Sequence, residues 1–171
     1  MAGPGRSRGV AKNPLDCHER ALRLLSVRPR SERELRNRLR RAGFEAEEVE
    51  AELIRLEAVG LIDDDAFARQ AVEHEVLVRR SGHRAIASRL GSRGLDRETV
   101  ERALADLGAE DEETRVVELA RSRTSRLAGL PPEKAFARLV SFLARRGYSA
   151  DLARRAARTA LAVNDQDPEL G

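Results

Sequence analysis

Apolar residues along the chain recur at helical spacing in short blocks that end at glycine. In residues 31–60, Leu35 and Leu39 stand four apart, and Val49 and Leu53 resume the pattern after a break. This spacing places each set on one side of an α-helix. The block therefore predicts two helices joined by a short turn.

Polar and glycine residues at the ends of these two helices match the usual start and stop signals. Ser31 with Glu34 three residues later is a capping-box pattern, which satisfies free N–H groups at a helix start. Gly43 follows the first apolar set, at the left-handed position that suits glycine. Phe44 and Glu45 come before the second helix and fit a hydrophobic staple and an N-cap.

The same block recurs twice more along the chain. Alignment on the turn glycine places Gly43, Gly94 and Gly147 in register. Apolar residues then coincide at five offsets: Leu39, Leu90 and Leu143; Leu35, Ile86 and Leu139; Phe44, Leu95 and Tyr148; Val49, Val100 and Ala153; Leu53, Leu104 and Ala157. Unrelated helical hairpins would share part of this pattern, but the matching glycine and its following residue favour an internal repeat of roughly fifty residues.

A further amphipathic helix precedes each block, so the pattern predicts nine helices in three triplets and no strand. In the first of these helices, Ala21, Leu22, Leu24 and Leu25 are expected on the buried side. Leu61 and Ile62 are expected in a buried connector to the fourth helix. On that helix, we expect Phe67, Ala71, Val72 and Val78 to face inward.

The fold class is therefore all-α, with three tandem three-helix, helix-turn-helix-like repeats. Because such repeats bury their faces against their neighbours, we expect an elongated, curved array. The predicted divisions are a disordered basic tail (1–14), repeat one (15–62), repeat two (63–108), repeat three (109–163) and a flexible acidic tail (164–171).

Residues that could carry catalytic chemistry are scattered, and no motif joins them. The three histidines have no ligand-like spacing, and the chain has no phosphate loop, dinucleotide-binding glycine motif or zinc-protease motif. Residues 63–65 are three aspartates, which could suggest a metal site, but their place at a helix start favours capping. We therefore predict no enzyme activity, no catalytic or metal-ligating residues and no cofactor.

The cysteine count and the hydropathy of the chain indicate its cellular compartment. Cys17 is the single cysteine, so no disulfide can form within the chain. No run of eighteen apolar residues exists, and the basic start of the sequence has no apolar segment behind it, so neither a membrane span nor a secretory signal is predicted. A cytoplasmic protein is the expectation.

Charge is informative through its distribution, because the formal net charge is only +3. Residues 28–41 contain seven arginines, residues 45–75 contain eleven acids, and residues 79–97 are basic again. Two interpretations stay open: solvated helices with internal ion pairs, or a surface for a charged partner. On the second interpretation, the candidate partner-binding residues are Arg28, Arg30, Arg33, Arg36, Arg40, Arg84 and Arg89.

The chain resembles the RecX family of bacterial recombination regulators in three segments: ALRLLSVRPRSERELRNRLRRAGF, GLIDDDAFARQAVEHEVLVRRSG and RLGSRGLDRETVERAL. The match begins near Ala21 and weakens after Leu107. The resemblance implies three tandem three-helix repeats and binding to the RecA recombinase filament on single-stranded DNA, along its deep groove. It also implies inhibition of filament growth, strand exchange, ATP hydrolysis and the co-protease activity of the SOS response, and it supplies no catalytic residue.

Two other classes of function remain as alternatives. Helix-turn-helix units with basic helices could bind DNA directly, although these helices have few of the side chains that read bases, and the chain has few aromatic residues for stacking. The chain could also be a helical adaptor for another protein. We expect a monomer that touches DNA phosphates at most weakly.

Overall fold

The computed structural model describes the backbone of residues 15–107 and 109–164, and the side chains of residues 15–107 and 112–162. The predicted N-terminal tail and nearly all of the predicted C-terminal tail lie outside these ranges. Among the described helices, none is long and apolar enough to span a membrane.

All regular structure in the described ranges is helical, which confirms the predicted fold class. The helices are α1 (Cys17–Val27), α2 (Glu32–Arg41), α3 (Ala46–Ala58), α4 (Asp64–Leu77), α5 (His83–Ser92), α6 (Arg97–Ala105), α7 (Ala109–Thr124), α8 (Pro132–Arg145) and α9 (Ala150–Asn164). A short 3-10 turn covers Ser125–Leu127, between α7 and α8.

The chain divides into two compact units. Unit 1 is Met1–Phe67 and contains α1 to α3, and unit 2 is Ala68–Gly171 and contains α5 to α9. The division falls in the first turn of α4. The predicted repeat boundaries at residues 62 and 108 stay a prediction.

The core of unit 1 forms where one side of each of its three helices meets the others. Leu35 and Leu39 of α2 and Val49, Leu53 and Leu56 of α3 are almost fully buried, as their spacing predicts. Cys17, Ala21, Leu24 and Ile62 complete this cluster. Leu22 and Leu61 were expected inside but are exposed, because Ala21 and Ile62 occupy the inward positions beside them.

Unit 2 buries the apolar residues that the repeat alignment identifies, except Leu104, which is half-buried beside the buried Ala103. Ile86 and Leu90 of α5 and Leu139 and Leu143 of α8 are all buried. The largest cluster joins α7, α8 and α9, where the alanines of α9 let the helices approach closely. The prediction for Val78 was wrong: α4 ends at Leu77, so Val78 lies beyond the helix and is 68% exposed.

The turn glycines adopt the left-handed backbone that the sequence predicts. The φ angles are 96° at Gly43, 94° at Gly94 and 90° at Gly147. At each of the three turns, the residue after the glycine donates its N–H to a carbonyl in the last turn of the preceding helix: Phe44 to Leu39, Leu95 to Leu90 and Tyr148 to Leu143.

The Ser31 hydroxyl caps α2 as expected and accepts from the Glu34 N–H at 3.1 Å. Glu45 occupies the N-cap position of α3 but makes no side-chain capping hydrogen bond. At the start of α6, Asp96 Oδ1 accepts from the Thr99 N–H at 2.8 Å.

Two aspartates at the start of α4 accept hydrogen bonds from the first turns of helices. Asp63 Oδ1 accepts from the Ala66 N–H at 2.8 Å and caps α4. Asp64 Oδ1 accepts from the Glu32 N–H at 2.9 Å, at the start of α2. In the part of the chain with described side chains, no group of three or more His, Cys, Asp or Glu could hold a metal ion. These carboxylates stabilise the positive ends of two helices.

Within unit 2, the α4–α5 connection packs directly on the α8–α9 turn. The Gly82 N–H donates to the Arg146 carbonyl at 2.9 Å, and the Arg84 N–H donates to the Gly147 carbonyl at 3.2 Å. The Tyr148 hydroxyl donates to the Arg80 carbonyl at 3.2 Å. The second and third helix groups are thus joined through their main chains.

Candidate partner-binding surface

The candidate arginines of unit 1 lie on α2 and on the connection that leads into it. Arg30 is not on the surface: its side chain is 5% exposed. Its Nε donates to the Leu24 carbonyl at 2.9 Å, and its Nη1 donates to Glu34. Arg30 therefore ties the end of α1 to the first turn of α2.

Glu34 is the common partner of three arginines. Besides Arg30, its Oε1 accepts from Arg28 Nη2 at 2.6 Å and from Arg38 Nε at 3.0 Å. Burial alone would raise the pKa of Glu34, but the hydrogen bonds from Arg38, Arg28 and Arg30 outweigh it and lower the pKa below 4.5. One carboxylate thus holds three cations, and Arg28 and Arg38 keep part of their surface exposed.

Arg36 joins α2 to α3. Its Nε donates to Glu50 Oε1 at 2.7 Å and its Nη2 donates to Glu50 Oε2 at 3.0 Å, so the guanidinium binds the carboxylate with both sides of its fork. It also pairs with Glu32, one turn earlier on α2. The hydrogen bond to Glu50 raises the pKa of Arg36, and the same bond is the main cause of the lowered pKa of Glu50.

Arg33 and Arg40 are the two candidate arginines of α2 that remain. Both side chains face solvent, and neither takes part in any ion pair formed by the residues whose side chains are described. The positive charge of Arg40 contributes to the lowered pKa of Glu50, so Arg40 lies within electrostatic range of α3. These two guanidinium groups can take carboxylates or phosphates from a partner.

The equivalent arginines of unit 2 match their counterparts in part. Arg84 is exposed like its counterpart Arg33. Arg89 bonds to Glu75 of α4 and donates to Ser81 Oγ at 2.8 Å, so it fixes α4 to α5. Its counterpart Arg38 instead pairs with Glu34 within α2. The repeat thus preserves the exposed cation at the first position but not the ion pair at the second.

The third helix group has cations that the candidate set does not include. Phe142 stands where Arg38 and Arg89 stand in the earlier groups, and its ring lies under two guanidinium groups, Arg123 at 4.5 Å and Arg146 at 5.4 Å. Residues 119–150 contain seven cations and one acid, Glu133. This excess of cations over acids in the sequence could have identified the third helix group as a second basic surface.

Three features of the candidate surface follow from these contacts. Arg33, Arg36 and Arg40 lie together on the outer side of α2, in unit 1. Arg30, and in part Arg28, hold the α1–α2 connection in place. Arg84 and Arg89 belong to unit 2. Some of the candidate arginines are therefore available on the surface, whereas others stabilise the fold.

Comparison with known proteins identifies the family. Two family models match the chain: "RecX, first three-helix domain" over residues 17–56 and "RecX, third three-helix domain" over residues 110–157. The regulatory protein RecX of Thermobifida fusca is 40% identical over 157 residues, which are 90% of this chain and 85% of that protein. The chain belongs to the RecX family. The regulatory protein RecX of Mycolicibacterium smegmatis is 41% identical over 151 residues, 84% of this chain and 80% of that protein.

Solved RecX structures share the fold. A crystal structure of RecX from Lactobacillus salivarius superposes with a TM-score of 0.78 at 20% identity, covering 85% of this chain and 95% of that chain. A crystal structure of another regulatory protein RecX gives a TM-score of 0.70 at 23% identity. The tandem three-helix architecture predicted from the sequence is thus the architecture of the RecX family.

Proposed function

We propose that the chain binds the filament that the RecA recombinase forms on single-stranded DNA and restrains its growth. Slower strand exchange, slower ATP hydrolysis and reduced co-protease activity then follow, so the chain tempers DNA repair and the SOS response. The observation that carries the proposal is family membership: a relative named regulatory protein RecX matches 90% of the chain at 40% identity.

The geometry of α2 supports binding to a charged protein surface. Arg33 and Arg40 are exposed beside Arg36, whose fork is anchored by Glu50 at 2.7 and 3.0 Å. An anchored arginine loses little side-chain freedom when a partner arrives, so less binding energy is spent on ordering it. Arg84 supplies a further exposed cation in unit 2. Several weak contacts of this kind, made to successive protomers of a filament, multiply into strong binding.

The proposed action is non-enzymatic. The chain acts as a cytoplasmic monomer that occupies the filament surface and prevents protomers from adding, and it needs no cofactor or metal of its own. A competitor of this type acts in proportion to the fraction of filament sites that it occupies. Its effect therefore saturates with concentration and requires no turnover.

The test is an ATPase assay on RecA filaments assembled on single-stranded DNA. We expect added wild-type chain to lower the steady-state rate, more strongly at low salt, because contacts between charges weaken as salt increases. An unchanged rate at saturating concentrations, with no binding to the filament, would refute the proposal.

A matched pair of variants locates the surface. Arg33→Ala/Arg40→Ala removes two exposed cations and leaves the Arg36–Glu50 pair in place. Arg97→Ala/Arg154→Ala removes the same charge from exposed sites in unit 2, where each arginine pairs only within its own helix. We expect the first variant to bind about tenfold more weakly, with a flatter salt dependence. Equal inhibition by the two variants would move the interface away from α2.

Direct contact with DNA phosphates is the second candidate, and the charge of the third helix group favours it. In the described part of the chain, none of the seven cations of residues 119–150 pairs with a carboxylate. Arg123 and Arg146 are also held over the Phe142 ring. Binding of a fluorescent oligonucleotide to wild type and to Arg138→Ala/Arg145→Ala separates this candidate from filament binding, because it requires no recombinase.

A further inference from the structure

The outward side of α3 carries an apolar ridge, defined as Ala51, Ile54, Ala58, Val59 and Leu61. All five residues are exposed, and Ile54 is 67% exposed at the centre of the helix. Isolated exposed apolar residues are common, whereas contiguous exposed apolar patches mark interaction sites. The ridge lies opposite the side of α3 that fills the core of unit 1.

Helical spacing makes the ridge continuous. Ala51, Ile54 and Ala58 are separated by three and four residues, so they lie on one side of α3. Val59 and Leu61 extend the apolar surface past the end of the helix. The two alanines leave depressions on either side of the Ile54 side chain, and a second helix can place its own side chains there.

One margin of the ridge is cationic. Glu50 lies one turn before Ile54 on α3, and its carboxylate is held by Arg36 of α2. Arg40 is close enough to contribute to the lowered pKa of Glu50. Arg36 and Arg40 thus border the apolar ridge, and Arg33, one turn from Arg36 on α2, extends the cationic side. The surface combines an apolar strip with guanidinium groups along one edge.

This combination distinguishes between classes of partner. A nucleic-acid backbone offers charged phosphates and sugars to a surface, so it would gain nothing from the exposed apolar side chain of Ile54. A protein helix with apolar side chains on one face and carboxylates beside them satisfies both the ridge and the arginines. Charge complementarity therefore selects an acidic amphipathic helix.

We propose that the apolar ridge of α3 and the arginines of α2 form one docking surface for an acidic amphipathic helix of the recombinase subunit. This inference rests on the proposed function and specifies which part of the partner is recognised. Apolar contact to Ile54 supplies affinity that salt does not screen. The arginines supply orientation and a salt-dependent association rate.

Two variants of the ridge test the inference. Ile54→Ser removes the exposed apolar side chain at similar helix propensity, and Ala58→Glu fills a depression and adds a charge that repels carboxylates. Leu77→Ser is the matched control, because Leu77 is 69% exposed and lies in unit 2. All three sites are exposed, so thermal unfolding of each variant should match wild type.

Affinity is measured for the assembled filament, for recombinase without DNA and for the bare oligonucleotide, at several salt concentrations. We expect Ile54→Ser and Ala58→Glu to weaken filament binding about fivefold to tenfold. The salt dependence of Ile54→Ser should equal that of wild type, whereas Arg33→Ala/Arg40→Ala should flatten it. Leu77→Ser should bind like wild type.

The outcomes that overturn the inference differ from those that overturn the proposed function. If wild type does not bind the filament, the proposed function fails and the inference fails with it. If wild type binds and Ile54→Ser binds equally well, only the inference is overturned. The inference is also overturned if Ile54→Ser loses as much affinity for the bare oligonucleotide as for the filament, because the ridge would then contact DNA. It is overturned as well if wild type sediments as a dimer and Ile54→Ser as a monomer, because the ridge would then bind a second copy of the chain.

Discussion

Alanine substitution at four glycines of this chain would distinguish the destabilising effect of backbone strain from that of steric contact. Gly147 has a φ of 90°, and a Cβ there would lie 2.3 Å from Ala85 Cβ and 2.5 Å from the Ala85 nitrogen. Gly129 has a φ of 82° but nothing within 4 Å. At Gly82 a Cβ would lie 2.6 Å from the Gly147 carbonyl carbon, at an ordinary φ of −78°. Gly91 combines an ordinary φ with open space.

The expected losses follow from these environments. A left-handed alanine costs about 1–2 kcal/mol, so Gly129→Ala should lose that amount. At Gly82 the obstacle is main chain, so the α4–α5 connection must withdraw from the α8–α9 turn. Two hydrogen bonds cross that contact, Gly82 N–H to the Arg146 carbonyl and Arg84 N–H to the Gly147 carbonyl. At about 1 kcal/mol each, Gly82→Ala should lose about 2 kcal/mol.

Gly147→Ala should show both effects and lose about 3–4 kcal/mol. Gly91→Ala should gain about 0.5–1 kcal/mol, because alanine is the better residue inside a helix. For a protein of this size, each kcal/mol corresponds to about 2–4 °C in the unfolding midpoint. The Gly147→Ala midpoint should therefore fall by roughly 6–16 °C.

The measurement is thermal and urea unfolding of the four variants, followed by circular dichroism. Amide exchange at Gly82 and Arg84 should accelerate in Gly147→Ala and remain slow in Gly129→Ala, since only the first change separates the two connections. The reasoning fails if Gly82→Ala is as stable as wild type. It also fails if Gly129→Ala loses as much stability as Gly147→Ala.

Three further predictions concern buried polar contacts. Arg30→Ala should lower the free energy of unfolding by about 3 kcal/mol, whereas Arg33→Ala should change it by less than about 0.5 kcal/mol, because only Arg30 is buried and paired; urea unfolding gives both values. Because the pKa of Glu34 is lowered in the folded state, its stabilising effect should be present above pH 4.5 and lost as pH falls below that value; Glu34→Gln should flatten this part of the stability profile. Tyr148→Phe should lose about 1 kcal/mol through the hydrogen bond to the Arg80 carbonyl, measured by thermal unfolding.

The sequence was sufficient to predict the helices, their turns and most of the core, because the signals involved are local. The positive φ of Gly43, Gly94 and Gly147 follows from the residue type and its place after an apolar set. The burial of Leu35 and Leu39 follows from their spacing alone. The pattern failed at one helix end and at one edge of a buried stripe: Val78 lies beyond the last residue of α4, and Leu22 lies beside the inward position that Ala21 occupies, so both are exposed.

The candidate surface was less predictable, because burial of an arginine depends on where acceptors lie in three dimensions. Arg30 and Arg33 look equivalent in sequence, yet Arg30 finds the Leu24 carbonyl and becomes part of the scaffold. The contact of Gly82 with the α8–α9 turn joins residues more than sixty positions apart, and no periodic signal encodes it. The apolar ridge could have been noticed from Ile54, which falls outside the buried stripe of α3.

The contact between the α4–α5 connection and the α8–α9 turn also bears on the order in which unit 2 folds. Helices and their tight turns form within about a microsecond, whereas contacts between distant parts of a chain must wait for loop closure. The hydrogen bond from Gly82 to the Arg146 carbonyl is such a distant contact. If it forms after the rate-limiting step, Gly82→Ala should leave the refolding rate unchanged and accelerate unfolding, so stopped-flow measurements would place the joining of the two helix groups late on the folding pathway.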